Sequence, residues 1–435
     1  MQEPILLLIR PRITKRMGCM ESWDNKVVVV GAGVVGMATA LFLLRGGKQV
    51  TVIDPFPPAG GCSFGNSGMI SANNAAPIAM PGMLPRVPGW LLDPLGPLVL
   101  RKRYLLHLMP WLAKWIRAGN INRVLEISDA MHALNKDAHG YWKELVGAQR
   151  YGELVRRNGQ VHLAATNDMP SRNAAVERAI RERHGFEAEL LGPEEIRKMF
   201  PGIASDVTKG VLIPGNGFTT NPRRLVGSIG EAFLQEGGQL ISEKVQKLIP
   251  REGRIMVMSN TSNYEVADVV VAAGAWSADL LAPLGITVPL EGERGYHAML
   301  PDANIDLQYT LSFRSRGFGM TPMETGIRVA GTIEFTFRDA PPDETLAQRF
   351  IPKAKLLFPD LTHGEPRLWM GVRPSLPDSL PLVGPVERIP GLHLAFGNSH
   401  FGMTGGPATA RLAADLVLRA KPTIDAVPYR LSRFG

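Results

Sequence analysis

Cysteine is nearly absent, with Cys19 and Cys62 the only two in 435 residues. Two thiols make no disulfide framework, and they set a reducing interior compartment as the default expectation. The nine histidines form no H-E-x-x-H pair and no Cys/His cluster, so no metal is expected. No nucleophile with its base, no catalytic triad and no carboxylate pair stands out. Repeats and low-complexity tracts are missing too. A secretory leader is not expected either: "ILLLI" is a run of only five apolar residues, it leads into "RPRITKR", and no small-residue cleavage site follows. Residues 1–24 read as an N-terminal extension, with Met17 or Met20 as alternative starts.

What is present is a folded composition, 45% hydrophobic and 20% charged, enough for two or three lobes around a large core. Its most informative stretch is "KVVVVGAGVVGMATALFLLRGGKQVTVID". Val27 to Leu44 carries no charged side chain and approaches the length of about 20 residues that a membrane span needs. Glycine placement decides against a span. Gly31, Gly33 and Gly36 form G-x-G-x-x-G directly after the β-branched run Val27–Val30, and a second run, Val50–Ile53, ends on Asp54. That order is strand, tight turn, helix, strand. The first glycine makes the turn, the second lets backbone approach a pyrophosphate, and the third lets helix and strand pack closely. The helix then opens with its amides and positive dipole end toward phosphate. Asp54, 18 residues after Gly36, stands where an acid accepts hydrogen bonds from an adenosine ribose.

The excess of eight positive charges is uneven. Arg101, Lys102, Arg103, Lys114, Arg117 and Arg123 precede the next acid, Glu126, and are interleaved with Trp90, Tyr104, Trp111, Trp115 and several leucines. No nucleic-acid motif accompanies them, so nucleic acid is not an expected partner. Two readings stay open: peripheral contact with an anionic lipid surface, or a helix packed on the body with a solvated basic side. The second is preferred. The expected location is cytoplasmic, with attachment to the inner face of the cytoplasmic membrane as the lipid-contact variant.

Beyond Asp54, Pro77, Pro81, Pro85, Pro88, Pro94 and Pro97 exclude long regular elements and leave a long ordered loop, a common place for function. Residues 103–149 carry helical spacing, and "GQVHLAAT" alternates like a strand. Asn221-Pro222 opens another helix, stopped by Gly237-Gly238. "VADVVVAAGAWS" is a further parallel strand, ending at Ala273-Gly274, a second place for backbone to approach a ligand. "YHAML", "YTLSF", "GMTPM" and "IRVAGTIEFTF" are short strands of an antiparallel sheet. The fold expected is α/β: a Rossmann-like domain with an inserted α+β domain holding a mixed or antiparallel sheet. The discontinuous nucleotide domain takes 25–105, 215–287 and 365–435; the inserted substrate domain takes 106–214 and 288–364.

Six segments, "GAGVVGMATALFLLRGGKQVTVID", "GGCSFGNSGMIS", "VVVAAGAWS", "EGERGYH", "GVRPSLPDSLPLVGPV" and "GNSHFGMTGGPATA", resemble in this order the FAD-dependent D-amino-acid oxidase and dehydrogenase family. The resemblance is nearest to small bacterial D-amino-acid dehydrogenases and D-hydroxyproline-type enzymes. It implies FAD, held by Gly31, Gly33, Val34, Val35, Gly36, Asp54 and Pro55. It further implies that Ser63, Gly65, Asn66, Ser67, Gly68 and Met69 pass the pyrophosphate and flavin ring. Ala273, Gly274, Gly371, Gly402, Met403 and Thr404 complete the implied cofactor contacts. Cys62 is a candidate neighbour of the flavin, although a buried inert thiol is the preferred reading.

For substrate, Arg373 in Gly-Val-Arg-Pro is expected to clamp an α-carboxylate with its planar fork; the competing reading pairs it with a core acid such as Asp378. Tyr296 is expected on the pocket roof or in the core, and His400 beside the substrate. The implied reaction oxidises the CH–NH bond of a D-amino acid, D-proline or hydroxy-D-proline among them. Hydride goes to flavin N5, and the electrons pass on to quinone or another acceptor. A glycine or sarcosine-type oxidase using oxygen and a non-catalytic dinucleotide-binding subunit remain the alternatives.

Overall fold

The computed structural model describes residues 25–166 and 173–434; the expectations for residues 1–24 lie outside the described residues. Lys26–Val30 and Gln49–Ile53 are strands joined by the helix Val34–Arg45, so the apolar run is a strand and a helix. The central sheet has the order Gln239–Ile241, Gln49–Ile53, Lys26–Val30, Asp268–Val271, Leu392–Phe396, Leu382–Pro385. Its first five strands are parallel and the last is antiparallel.

The helix Val34–Arg45 lacks a polar face because it has almost no free face. The helices Pro222–Gln235 and Gly402–Val417 pack on it, and every residue from Met37 to Leu43 is buried. At roughly 1.5–3 kcal/mol for each large apolar side chain taken from water, Met37, Leu41, Phe42 and Leu43 anchor the helix to the sheet. Pro222 starts its own helix as expected, with Asn221 Oδ1 accepting from Arg224 N at 3.0 Å, a cap worth about 1 kcal/mol. A three-stranded antiparallel sheet, Val245–Arg251, Arg254–Ser259 and Asn263–Val266, covers the opposite side through Leu248, Ile255 and Val257.

The second sheet has nine strands. Eight run in the order Arg367–Ser375, Glu291–Leu300, Gly326–Phe335, Phe318–Met323, Thr310–Phe313, Gln160–Ala165, Val207–Ile213, Glu189–Leu191, and Leu98–Leu100 joins beside Gly326–Phe335. One face carries a core of its own, including Tyr296, Ala298, Leu300, Met320, Val329, Phe350 and Leu357. The other face looks toward the nucleotide lobe.

Three boundaries differ from the expected division. Arg367–Ser375 pairs with Glu291–Leu300 along its whole length, Glu291 opposite Ser375 through Met299 opposite Arg367, so it belongs to the second sheet and not to a 365–435 piece of the nucleotide lobe. Leu98–Leu100 joins that sheet as well, before residue 106. Conversely, the helices Ile121–Asn135 and Ala138–Leu154 bury Val124, Ile127, Leu134 and Trp142 in the nucleotide-lobe core. Apolar periodicity marks an element's buried side but not which lobe it is buried against.

The basic segment follows its preferred reading in packing on the body with Lys102, Arg103 and Arg117 exposed, and differs in what else faces outward. In the helix Leu105–Ala118 the inward side is apolar, with Leu108 and Trp111 buried. The outward side is apolar too: Leu105, Leu106, Met109 and Ile116 are exposed, and Leu91 and Leu92 of the short helix Val87–Leu92 are exposed with them. Among the described residues no helix is long and apolar enough to cross a membrane.

Candidate active site

Gly31 sits at φ +114°, and a Cβ there would lie 2.4 Å from Ala272 O at the end of the neighbouring strand. A Cβ on Gly36 would lie 1.9 Å from Gly31 O. Packing within the protein therefore demands the first and third glycines. It makes no such demand on Gly33, whose Cβ would meet nothing nearer than Ser63 Oγ at 3.5 Å. The open side of Gly33 faces the start of the helix, where Val34 N donates to Ser63 Oγ at 3.1 Å. Asp54 closes the turn: Oδ2 accepts from Ala32 N at 2.7 Å and Oδ1 from Phe56 N at 2.8 Å. Burial pushes its carboxyl up, against those two amide bonds. Each oxygen keeps a lone pair for a further donor.

The loop after Asp54 runs beneath the second sheet and is held there closely. A Cβ on Gly65 would strike the Trp369 ring at 2.2 Å, and Gly65 O accepts from His297 Nδ1 at 3.0 Å. His297 stacks on Trp369, 5.0 Å between centroids, and burial takes its imidazole down to about 3, so it is neutral. Asn66 Oδ1 accepts from Gly68 N at 2.8 Å, while Asn66 O accepts from the nearly buried Arg328. Burial lowers that guanidinium to about 10, and its Nε has no hydrogen-bond partner among the described residues. Gly68, at φ +80°, has no room for a side chain, with Thr219 O 2.7 Å from a Cβ position. Met69 then begins the two-residue strand Met69–Ile70, paired to Phe218 and Gly217. Burial pushes the Cys62 thiol up and keeps it protonated; Arg373 and Glu293 are the charges that act on it.

Gly402, Met403 and Thr404 form the first turn of the helix Gly402–Val417. Pro407 has no N–H to give Met403 O, the acceptor one turn back. Trp142 Nε1 donates to that oxygen instead, at 2.7 Å. Thr404 Oγ1 accepts from Ser71 N at 3.0 Å, which ties the helix start to the segment after Met69–Ile70. Ala273 and Gly274 follow the end of Asp268–Val271, and Ala273 lies against Gly31.

Arg373, the expected clamp, stands opposite Glu293 on the adjoining strand. Its Nη1 donates to Glu293 Oε1 at 2.8 Å, and Ser375 Oγ donates to Glu293 Oε2 at 3.0 Å. His400 Nε2 meets the same Oε1. The acid partner of Arg373 is thus Glu293, whereas Asp378 pairs with Arg433 at 2.8 Å. The Glu293 side chain is 3% exposed, against 20% for Arg373 and 31% for His400. Burial opposes charge on Glu293, yet His400 and Arg373 outweigh it and bring the carboxyl down to about 2. A fixed anion therefore sits behind two partly exposed groups. Gly371 lies on the same strand face, under Trp369.

Tyr296 is not brought to this cluster. It lies in the core on the far face of the sheet, its hydroxyl donating to the buried Glu334, and burial raises it to about 12. Strand alternation is the reason: Glu293, Gly295 and His297 point one way, Tyr296 and Ala298 the other. Glu293, Arg328 and Trp369 were not singled out in the sequence. Period-two reading of "EGERGYH" from Arg373's side of the sheet was the signal that could have found Glu293.

A parallel sheet crested by a G-x-G-x-x-G turn, with a second sheet roofing the adjoining loop, defines a two-lobed dinucleotide oxidoreductase. The chain belongs to the DAO family, FAD dependent oxidoreductase, which matches residues 26–416, and FAD is its cofactor. It is similar to a D-amino-acid oxidase of Bradyrhizobium diazoefficiens, 32% identical over 421 residues covering 94% of this chain and 98% of that protein. A D-amino acid dehydrogenase of Rhodopseudomonas palustris is 30% identical over 433 residues, 94% of this chain and 98% of the relative. Among solved structures, glycine oxidase from Geobacillus kaustophilus has a TM-score of 0.72 at 22% identity, covering 94% and 99% of the two chains. L-proline dehydrogenase from P. horikoshii has 0.73 at 20%, covering 94% and 97%. The residues present fit FAD: Gly33 leaves the cradle that a Cβ would fill, beside a helix N-terminus and an acid with spare lone pairs.

Proposed function

We propose that the protein oxidises the CH–NH bond of a D-amino acid, with D-proline and hydroxy-D-proline inside the substrate class. The observation that carries this is Arg373, fixed by Glu293 yet partly exposed on the sheet face above the Gly65–Gly68 loop. One edge of its fork is used by Glu293, and the remaining N–H groups can grip a carboxylate, a charge-assisted contact worth about 1.5–3 kcal/mol. Bound FAD supplies the hydride acceptor, its N5. The protein's share is orientation and charge: Arg373 fixes the carboxylate, and the roof of His297 and Trp369 shields the loop from water.

We further propose that the electrons leave to a quinone or similar acceptor and that the protein rests on an anionic lipid surface. Leu92 and Leu106, 83% and 86% exposed, head the outward apolar stripe. Around it Lys102, Arg103, Lys114 and Arg117 have no acid partner among the described residues, and Asp93 is the sole acid between residues 84 and 123. Apolar insertion with cationic flanks is the chemistry of a peripheral anchor. The inward side of the same helix reaches the site, with Trp111 Nε1 donating to Ser375 O at 3.3 Å.

Anaerobic addition of D-amino acids should bleach the bound flavin while L-isomers do not. Holoenzyme that no D-amino acid reduces would end this reading. Stoichiometric hydrogen peroxide from glycine or sarcosine would favour the oxidase alternative, and turnover unchanged in Arg373→Ala would remove Arg373 as the carboxylate clamp.

A further inference from the structure

Oxidation of an amine by hydride loss requires the nitrogen lone pair, because that pair forms the C=N bond as the hydride departs. At neutral pH an amino acid's nitrogen is an ammonium and has no such pair. Some group must take the proton first. Among the described residues the groups around the Arg373 site are few: Glu293 and Ser375 on the two strands, His400 from the turn before the last helix, Cys62 from the loop, and Glu291 further along Glu293's strand. Glu293 is buried and has both oxygens engaged. Cys62 is held protonated, and Glu291 is occupied by Tyr104. His400 remains.

We propose that His400 is the proton acceptor for the substrate's ammonium group and that Glu293 is the residue that positions it. The proposal rests on the amino-acid oxidation put forward above. A carboxylate can only accept, so the imidazole facing Glu293 carries its proton on Nε2. In the neutral ring Nδ1 then presents its lone pair, and His400 is the most exposed member of the cluster. Arg373 and His400 converge on one oxygen, Glu293 Oε1. The carboxylate-binding and ammonium-binding groups are therefore side by side, as the two substituents of one α-carbon require.

An N–H bond of the ammonium breaks, its proton passes to His400 Nδ1, and the electron pair stays on nitrogen. The Cα–H pair then leaves as hydride while that nitrogen pair forms C=N. The imidazolium, opposite a fixed carboxylate, returns its proton to solvent. Glu293 thus fixes which ring nitrogen carries the proton before the transfer and stabilises the cation after it, a positioning role of the kind carboxylates play behind histidines.

The test is the rate of anaerobic flavin reduction by a saturating D-amino acid, followed by stopped flow from pH 6 to 10 with FAD content and circular dichroism as folding controls. His400→Asn should lower the rate at pH 7 about 100-fold. Its rate should then climb tenfold per pH unit until the substrate's own amine deprotonates, where the variant approaches wild type. Glu293→Asp should retain a displaced basic limb, and Glu293→Gln should shift that limb toward the His400→Asn profile. Ser375→Ala, a milder change to the same carboxylate, gives a smaller shift if Glu293→Gln fails to fold. His400→Asn with the wild-type rate and pH profile would overturn the proposal, and so would a uniform loss that high pH does not restore. Impaired substrate affinity in Arg373→Lys beside a normal His400→Asn would leave the proposed function standing and remove only the proton acceptor.

Discussion

Arg373 and Glu293 face each other directly across neighbouring antiparallel strands, and the guanidinium lies over Gly295, whose missing side chain makes room for it. A Cβ on Gly295 would fall 2.1 Å from Arg373 Cζ. Since the obstructed atoms are the end of a long side chain, Gly295→Ala should fold and bind FAD while pushing the fork out of register. Losing a charge-assisted contact worth about 1.5–3 kcal/mol should raise KM for a D-amino acid roughly 10- to 100-fold. An unchanged KM would show that Arg373 does not hold the carboxylate.

Glu293 also ties stability to pH. Its carboxyl in the folded protein is lowered to about 2, below the ordinary glutamate value of about 4.3. A depressed carboxylate contributes stability that is fully present above the unfolded value and is lost as pH falls through the folded one. The urea midpoints of wild type and Glu293→Gln should therefore differ most above about pH 5 and converge toward about pH 2. A gap of equal size at pH 7 and pH 3 would contradict this.

Much of the nucleotide lobe was legible because its signals are local. The turn glycines, Asp54 and the Asn221 cap each act within a few residues or one βαβ unit, and each appears where the spacing puts it. The substrate site was legible only in part. Arg373 was found as a residue, but its partner is 80 positions away, and cross-strand register is invisible until the sheet is assembled. Tyr296 lies in the core, one of its two expected places, and not at the roof, since its neighbours Gly295 and His297 belong to the site face and a one-residue step along a strand reverses direction. The outward leucines of residues 91–106 look like core in sequence, because hydrophobicity alone does not report which side of a helix the protein covers.

The second and third glycines of the nucleotide turn should separate binding from folding. Gly33→Ala places a Cβ no nearer than 3.5 Å to any protein atom, so the apoprotein should keep its thermal midpoint while FAD content after reconstitution falls sharply. Gly36→Ala drives a Cβ to 1.9 Å from Gly31 O. The helix must then leave its strand, a core strain of roughly 3 kcal/mol or more, and soluble yield should drop with or without FAD. Equal FAD loss and equal destabilisation in both variants would mean that Gly33 has a packing role after all.

The outward stripe can be tested apart from the chemistry. Leu92 and Leu106 contribute to no core cluster, so Leu92→Glu with Leu106→Glu should leave the fold and turnover with a soluble dye acceptor unaltered. Vesicles containing about one-third phosphatidylglycerol should sediment the wild-type holoenzyme at low salt. Zwitterionic vesicles should retain far less, because each cation near an anionic surface adds about 1 kcal/mol, and added salt should release the protein by screening. The double variant should stay in the supernatant in every case and lose activity only with a bilayer-resident quinone. If it reduces that quinone as fast as wild type, the surface is not the route to the acceptor.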